Sequence, residues 1–256
     1  MSEVVLERPS AGILVARMHR PDARNAMNLA LRAQLLQAYS EADRDPKIKV
    51  LVLTGGDEVF VSGADIKEFD GLSPMGEMLS KSQEMWRTVN QFRKPVIAAV
   101  NGAAIGGGCE LALSADLIIA GENAKFGQLE IRLGLMPGAG GTQRLVRSVG
   151  KYQAMRISLL GEIIPSDEAL RMGMVSEVVP DNKVMERALE IARKIAGMSP
   201  VAVMQIKEVM LAGMDVSLDT AMALERKAFQ LLFATEDAQE GVRAFIEKRK
   251  AEFKGK

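Results

Sequence analysis

The feature that most constrains the fold is an alternation in the first half of the chain. Short apolar runs, closed by glycine or a turn pair, take turns with stretches of helical period. Val4–Glu7 and Ile13–Met18 read as strands joined by the turn Ser10-Ala11-Gly12. Asn28 caps a helix whose stripe is Leu31, Leu35, Tyr39 and Ala42. Val50–Thr54 is an apolar run stopped by Gly55-Gly56, and Val59–Ser62 is a second one stopped by Gly63. A helix carrying Met78, Met85, Val89 and Phe92 follows. Pro95 then opens the strand Val96–Val100, which turns at Asn101-Gly102. Cys109–Ala115 reads as helix and Leu117–Ala120 as strand. Strands that alternate with helices imply a layered α/β core with a largely parallel sheet.

From Thr142 onward almost everything has helical period, with Pro165, Pro180 and Pro200 as punctuation. Val184–Ala196, Val201–Leu211, Leu218–Phe233 and Asp237–Lys248 are the clearest segments. The expected division is an α/β core over residues 1–195 and a helical appendage over 196–256. An appendage apolar on several faces packs against something, often another subunit. The charged run Glu247–Lys256 is expected in solvent or at the rim of a ligand site.

Composition removes several classes of function. Of 256 residues, Lys plus Arg and Asp plus Glu both number 33, and this zero net charge argues weakly against a nucleic-acid partner, which usually demands a basic face. One cysteine, Cys109, allows no intramolecular disulfide, which suits a reducing compartment. With one histidine, His19, besides, the chain cannot supply a zinc site rich in Cys and His. The first residues lack the pattern of a signal or transit peptide, and no uncharged apolar stretch approaches about 20 residues. A soluble, cytoplasmic protein with no membrane association is the expectation. No phosphate-binding loop, dinucleotide fingerprint or nucleophile elbow occurs, and His19, beside Arg20-Pro21, is read as structural.

Three glycine-rich stretches remain: residues 60–67, residues 99–111 and residues 126–142. In the second, a strand ends at Asn101-Gly102 and Gly106-Gly107-Gly108 precedes an apolar helix. Glycine admits positive φ and the close approach of a ligand. The first N–H groups of a helix lack internal partners and carry the positive end of its dipole, so such a corner suits a developing oxyanion. A tight strand-to-helix turn is the plainer reading. Glu110, in the first turn among Cys109, Leu111 and Ala112, either complements the dipole or is a buried acid. Glu130, between Leu129 and Ile131, reads by itself as a solvated loop acid.

Taken together, Ser62-Gly63-Ala64-Asp65-Ile66-Lys67, Asn101-Gly102 through Gly106-Gly107-Gly108-Cys109-Glu110-Leu111-Ala112, and Phe126-Gly127-Gln128-Leu129-Glu130 through Pro137-Gly138-Ala139-Gly140-Gly141-Thr142-Gln143-Arg144-Leu145 closely resemble the crotonase superfamily, in its enoyl-CoA hydratase branch. The resemblance runs from Arg20-Pro21 and Arg24-Asn25-Ala26-Met27-Asn28 to Phe253-Lys254-Gly255, nearly the whole chain. It implies a spiral of ββα units with a C-terminal helical trimerisation region, and a homotrimer or a homohexamer made as a dimer of trimers. It also implies syn addition of water to a trans-2-enoyl-CoA, with no cofactor beyond the coenzyme A of the substrate. Carried over, the oxyanion hole falls on the N–H groups of Ala64 and Gly107, and the catalytic carboxylates on Glu110 (base) and Glu130 (proton donor to carbon). Asp65, Ile66 and Lys67 fall on the stretch along coenzyme A, and Gly138 falls at the start of a helix near the reacting atoms. The rival readings are an isomerase of the same superfamily, which needs one carboxylate, and a non-catalytic acyl-CoA- or RNA-binding protein of the same fold. The chain's ending and Ala234-Thr235-Glu236-Asp237 resemble hydratases of phenylacetate breakdown acting on 2,3-dehydroadipyl-CoA as much as short-chain hydratases of fatty-acid oxidation. Lys81 and Arg87 are the cations in the region where an acyl tail would lie.

Overall fold

Four of the apolar runs become the middle of one sheet. The computed structural model describes residues 2–73, 76 and 82–256. Its larger sheet has the order β1 (Val4–Glu7), β2 (Ile13–Met18), β3 (Val50–Thr54), β4 (Val96–Val100), β6 (Leu117–Gly121) and β9 (Glu177–Val179). Only the β1–β2 pair is antiparallel; the remaining pairs are parallel, with Val52 opposite Val15 and Ile97. Successive side chains on a strand point to opposite faces. Ile13, Val15, Val50, Val52, Ile97 and Ile119 meet one layer, and Leu14, Ala16, Leu51, Leu53 and Ala98 meet the other. Both faces are covered, which is why these strands read as unbroken apolar runs rather than as alternation.

Helix α6 (Val184–Ala196) closes the first face with Val184, Ala188 and Ala192. The second face holds α1 (Leu29–Arg44) and α2 (Ser82–Gln91). It also holds α3 (Gly107–Leu113) and α4 (Gly141–Leu160). The expected Asn28 cap is present: its side chain accepts from the Leu31 N–H. Met78 and Lys81 lie outside the described residues.

A second, small sheet stands at the far ends of the parallel strands: β5 (Ala103–Ile105), β7 (Lys125–Gly127) and β8 (Ile163–Pro165). Each pass of the chain therefore runs strand, short strand, helix, as in β4–β5–α3 and β6–β7–α4, the repeated unit of a crotonase-like spiral. The strand expected at Val59–Ser62 is corrected here. Only Val61 pairs, in a parallel bridge to Ala104, because Asn25 occupies the carbonyls of Val59 and Phe60 with its side-chain amide. The reading of the second half as helical is corrected too, since β8 and β9 each contribute three strand residues. Past α5 (Ser166–Arg171) and α6, the chain ends in α7 (Pro200–Gly213), α8 (Leu218–Leu232) and α9 (Glu236–Ile246). The Lys207 ammonium ties α7 to the core through Asp116 Oδ2 at 2.8 Å and the Lys94 carbonyl at 2.9 Å. No single helix among the described residues is long and apolar enough to cross a membrane.

Candidate active site

The three glycine-rich stretches meet where β5 runs into α3. Each glycine of the 106–108 run faces a different neighbour. Gly106 has φ of 52°, a conformation costly for any residue with a Cβ, and a Cβ there would stand 3.1 Å from Glu130 Oε1. A Cβ on Gly108 would fall 2.2 Å from the Val61 carbonyl oxygen, so glycine lets α3 lie against that strand. A Cβ on Gly107 would meet the Met27 Cε at 2.7 Å and stand 3.9 Å from the Ala64 nitrogen. The Ala64 and Gly107 N–H groups thus border one small space.

Residues 20–27 hold the Ala64 loop in place. Met27 N–H donates to the Gly63 carbonyl at 2.8 Å and Asp65 N–H to the Met27 carbonyl at 3.0 Å, which brackets Ala64 and leaves its own N–H free to face inward. Asn25, buried and at φ of 56°, accepts from Arg20 N–H and donates to the carbonyls of Gly55 and Val59 at 2.9 Å each. Arg20 pairs with Asp65 at 3.2 Å. Among the described residues, neither Ala64 N–H nor Gly107 N–H donates to any protein acceptor. Two adjacent unpaired amides, one of them at a helix N-terminus, form a ready donor pair for a negative oxygen.

The two carboxylates come from different corners. Glu110 lies in the first turn of α3 and is 3% exposed. Its Oε1 accepts from Ala139 N–H at 2.7 Å and Gly141 N–H at 2.8 Å, at the N-terminal end of α4. Burial raises its proton affinity, while those two N–H donors and the charge of Arg144 oppose the rise. Glu130 opens a one-turn 3₁₀ helix, Glu130–Leu133, and is half-buried. Burial, with the charge of Glu110 added, pushes its carboxyl up to about 7. Gln128, fully buried, lies between the two. With its amide nitrogen turned to Glu130 it donates to Oε1 at 3.1 Å and Oε2 at 3.2 Å. A Cβ on Gly141 would touch both this amide at 2.8 Å and Glu110 Oε1 at 2.9 Å. Gln128 and Gly141 therefore mark where the two carboxyls approach one another, with the glycine run that carries the Gly107 amide beside Glu130.

The remaining expected positions divide. Asp65 is held by Arg20, whereas Ile66 and Lys67 stand exposed on the 3₁₀ turn Ile66–Glu68. Gly138 precedes α4 rather than starting it, because Gly140 is the cap and Gly141 the first helical residue; a Cβ on Gly138 would meet only open space. His19 is exposed at the end of β2, away from these groups. Gln128 carried no role in the sequence reading, although it stands in the quoted 126–130 stretch. An uncharged amide two residues from an acid was the available signal.

The α/β spiral thus gathers free main-chain N–H groups and two acids at its strand-to-helix corners, an arrangement suited to holding a negative oxygen beside acid–base groups. Comparison with known proteins agrees: residues 8–256 match the enoyl-CoA hydratase/isomerase family, and the chain belongs to that family within the crotonase superfamily. It is similar to the 2,3-dehydroadipyl-CoA hydratase of Escherichia coli, 45% identical over the whole of both chains. It is also similar to the crotonyl-CoA hydratase of Syntrophomonas wolfei, 43% identical over 98% of this chain and 97% of that one. An enoyl-CoA hydratase subunit of Geobacillus kaustophilus has a similar solved structure, with a TM-score of 0.95 at 40% identity over 99% of this chain and 98% of that one.

Proposed function

We propose that this chain is a hydro-lyase that adds water reversibly across the double bond of a trans-2-enoyl-CoA, giving a 3-hydroxyacyl-CoA. The observation that carries this reading is the meeting of two unpaired N–H donors with two carboxyls of unlike proton affinity. The thioester carbonyl accepts from Ala64 N–H and Gly107 N–H. Glu110, whose Oε1 accepts from Ala139 N–H and Gly141 N–H, takes a proton from water as the oxygen bonds to the β-carbon. The π electrons move toward the carbonyl oxygen, where the two donors stabilise the enolate. Glu130, whose carboxyl is pushed up to about 7 and so holds a proton in a share of the molecules near neutral pH, gives that proton to the α-carbon. One proton has entered the acid pair and one has left it, so passing a proton from Glu110 to Glu130 resets the site. Such a pair titrates as a unit. An isomerase needs only one of the two acids, so the intact pair favours hydration.

The same reading covers the ligand and the assembly. Asp65, Ile66, Lys67 and Gly138 would line the path of the coenzyme A portion. Met210, Met222, Phe229, Phe233 and Phe245 stand at least half exposed on α7, α8 and α9, at 69%, 50%, 60%, 61% and 86%. Apolar area of that extent fits burial between copies of this chain, which supports a homotrimer or a dimer of trimers.

The decisive test is turnover of crotonyl-CoA, followed as loss of its conjugated absorbance. The reading expects hydration by the native protein and formation of 3-hydroxybutyryl-CoA. A native protein that binds the thioester without hydrating it, or that only moves its double bond, would overturn the reading. The ratio of kcat/KM for 2,3-dehydroadipyl-CoA and crotonyl-CoA then sets the acyl class.

A further inference from the structure

Arg144 stands where electrostatics alone would not put it. It is the fourth residue of α4, and a cation in the first turn faces the positive end of the helix dipole. It is also half-buried, which lowers its proton affinity. The geometry accounts for it. The guanidinium folds back beneath the start of its own helix, and its Nη1 donates to the Ala139 carbonyl at 2.9 Å. Its Nη2 donates to Asn90 Oδ1, on α2. Gly140 makes the fold-back feasible: it has φ of 99°, and a Cβ there would stand 2.2 Å from Nη1. One arginine thus joins three elements: α2, the loop of residues 137–140 and the start of α4.

That loop is the one that holds Glu110. Ala139 presents its N–H to Glu110 and its carbonyl to Arg144. Gly141, one residue past the glycine under the guanidinium, presents the second N–H. We propose that Arg144 is a positioning residue for Glu110: it clamps the loop whose amides bind that carboxylate. A planar fork can bond Ala139 and Asn90 at once, which the point charge of a lysine cannot reproduce. The mutual influence of the two charges runs the same way, each favouring the ionised form of the other. The other titratable groups facing this cluster are Glu130, Cys109 and Tyr39. Burial raises the proton affinity of both Cys109 and Tyr39, so both stay neutral near pH 7. Glu130 has no comparable cation raising its acidity. The arginine thereby adds to the hold that the Ala139 and Gly141 amides have on the ionised form of Glu110.

The inference rests on the hydration reading, and its test separates the two. Loss of the positive charge raises the Glu110 proton affinity, so the base form is lost at a higher pH. Arg144→Gln is expected to lower kcat about ten- to hundredfold, with KM little changed. The acid limb of its pH profile should move up. Arg144→Lys should restore the limb while kcat stays low. Asn90→Ala, at an exposed position, should shift kcat in the same direction by less, and carries the test if Arg144→Gln fails to fold. Arg147→Gln, three residues on and paired with Asp215, should match the native profile. On a Glu110→Gln background Arg144→Gln should cost little more, since both act through one carboxyl. An unshifted limb, or full multiplication of the two losses, overturns the inference and leaves the hydration reading standing. Infrared titration of the Glu110 carboxyl, assigned by difference against Glu110→Gln, needs no turnover. It still decides the hold of Arg144 on Glu110 if hydration itself fails.

Discussion

The corner that supplies Glu110 and the turn that supplies Glu130 set the same chemical group in unlike surroundings. Glu110 is rooted in a helix, 3% exposed, with two N–H donors on one oxygen and an arginine behind them. Glu130 opens a single 3₁₀ turn, is less deeply buried, and has the Gln128 amide and the like charge of Glu110 as its polar company. Donors favour the ionised form, and burial without a cation favours the protonated one. The difference teaches that two like residues can be set to unlike roles by main-chain groups and a neighbouring cation alone.

The strongest way to break the comparison is to remove one acid at a time. Glu110→Gln and Glu130→Gln should each lower kcat for crotonyl-CoA at least a hundredfold, while binding of the substrate stays close to native. Glutamine is nearly isosteric, and its carbonyl oxygen can still accept from Ala139 and Gly141, so the fold should hold. Native-like turnover in either variant would remove that residue from the chemistry and leave an isomerase-like site with one acid.

A smaller effect tests what the two acids share, the donor pair. Gly107 has no positive φ, so alanine there fits the helix, and the contact it makes is with the flexible end of Met27. Its methyl would crowd the space before the Ala64 amide. Gly107→Ala should cost roughly ten- to a hundredfold in kcat. Met27→Ala on that background should recover melting temperature without recovering activity. Recovery of both would show that packing, not the donor pair, carried the loss.

The contrast between the two acids also bounds how much the sequence could say. Strands β2, β3, β4 and β6 were legible because burial on both faces makes them continuous apolar runs. Strands β5, β7, β8 and β9 have three residues each and no periodicity to read, and the Val59–Ser62 run was apolar for packing rather than for pairing. The crowding of glycine at 106–108 was visible, and its three separate causes were not. Neither glutamate had a role by spacing alone; their roles came from the family resemblance, because Glu110 meets its amides 29 and 31 residues further on. Gln128 and Arg144 sat within the quoted stretches, but what they touch is set by how the 137–140 loop folds back. That depends on two glycines and no pattern of hydrophobicity.

The comparison sharpens with pH. For kcat/KM, which reports the free enzyme, activity should fall above pH about 7 as Glu130 gives up its proton. It should fall again on the acid side as Glu110 is protonated. Glu130→Gln should erase the alkaline limb from the residual activity while keeping the acid one. An alkaline limb that survives in Glu130→Gln would reassign it to another group.

The smallest expected effect is on stability, and it has a sign. A carboxyl whose affinity for its proton rises on folding contributes stability that is fully present below its unfolded pKa and lost as pH passes the folded value. For Glu130 that window runs from the ordinary glutamate value of 4.5 to about 7. Below it the native protein and Glu130→Gln should melt alike, since both carry a neutral side chain. Above it the native protein must keep a charge in a half-buried site beside Glu110. Glu130→Gln should then be the more stable by on the order of 1 kcal/mol after screening by solvent. For a chain of this size, that is a rise of about 2–4 °C in Tm. A gain that is flat from pH 4 to pH 8 would place its origin in packing. A loss at high pH would mean that Glu130 is stabilised as a carboxylate, and the assignment of base and proton donor would have to be exchanged.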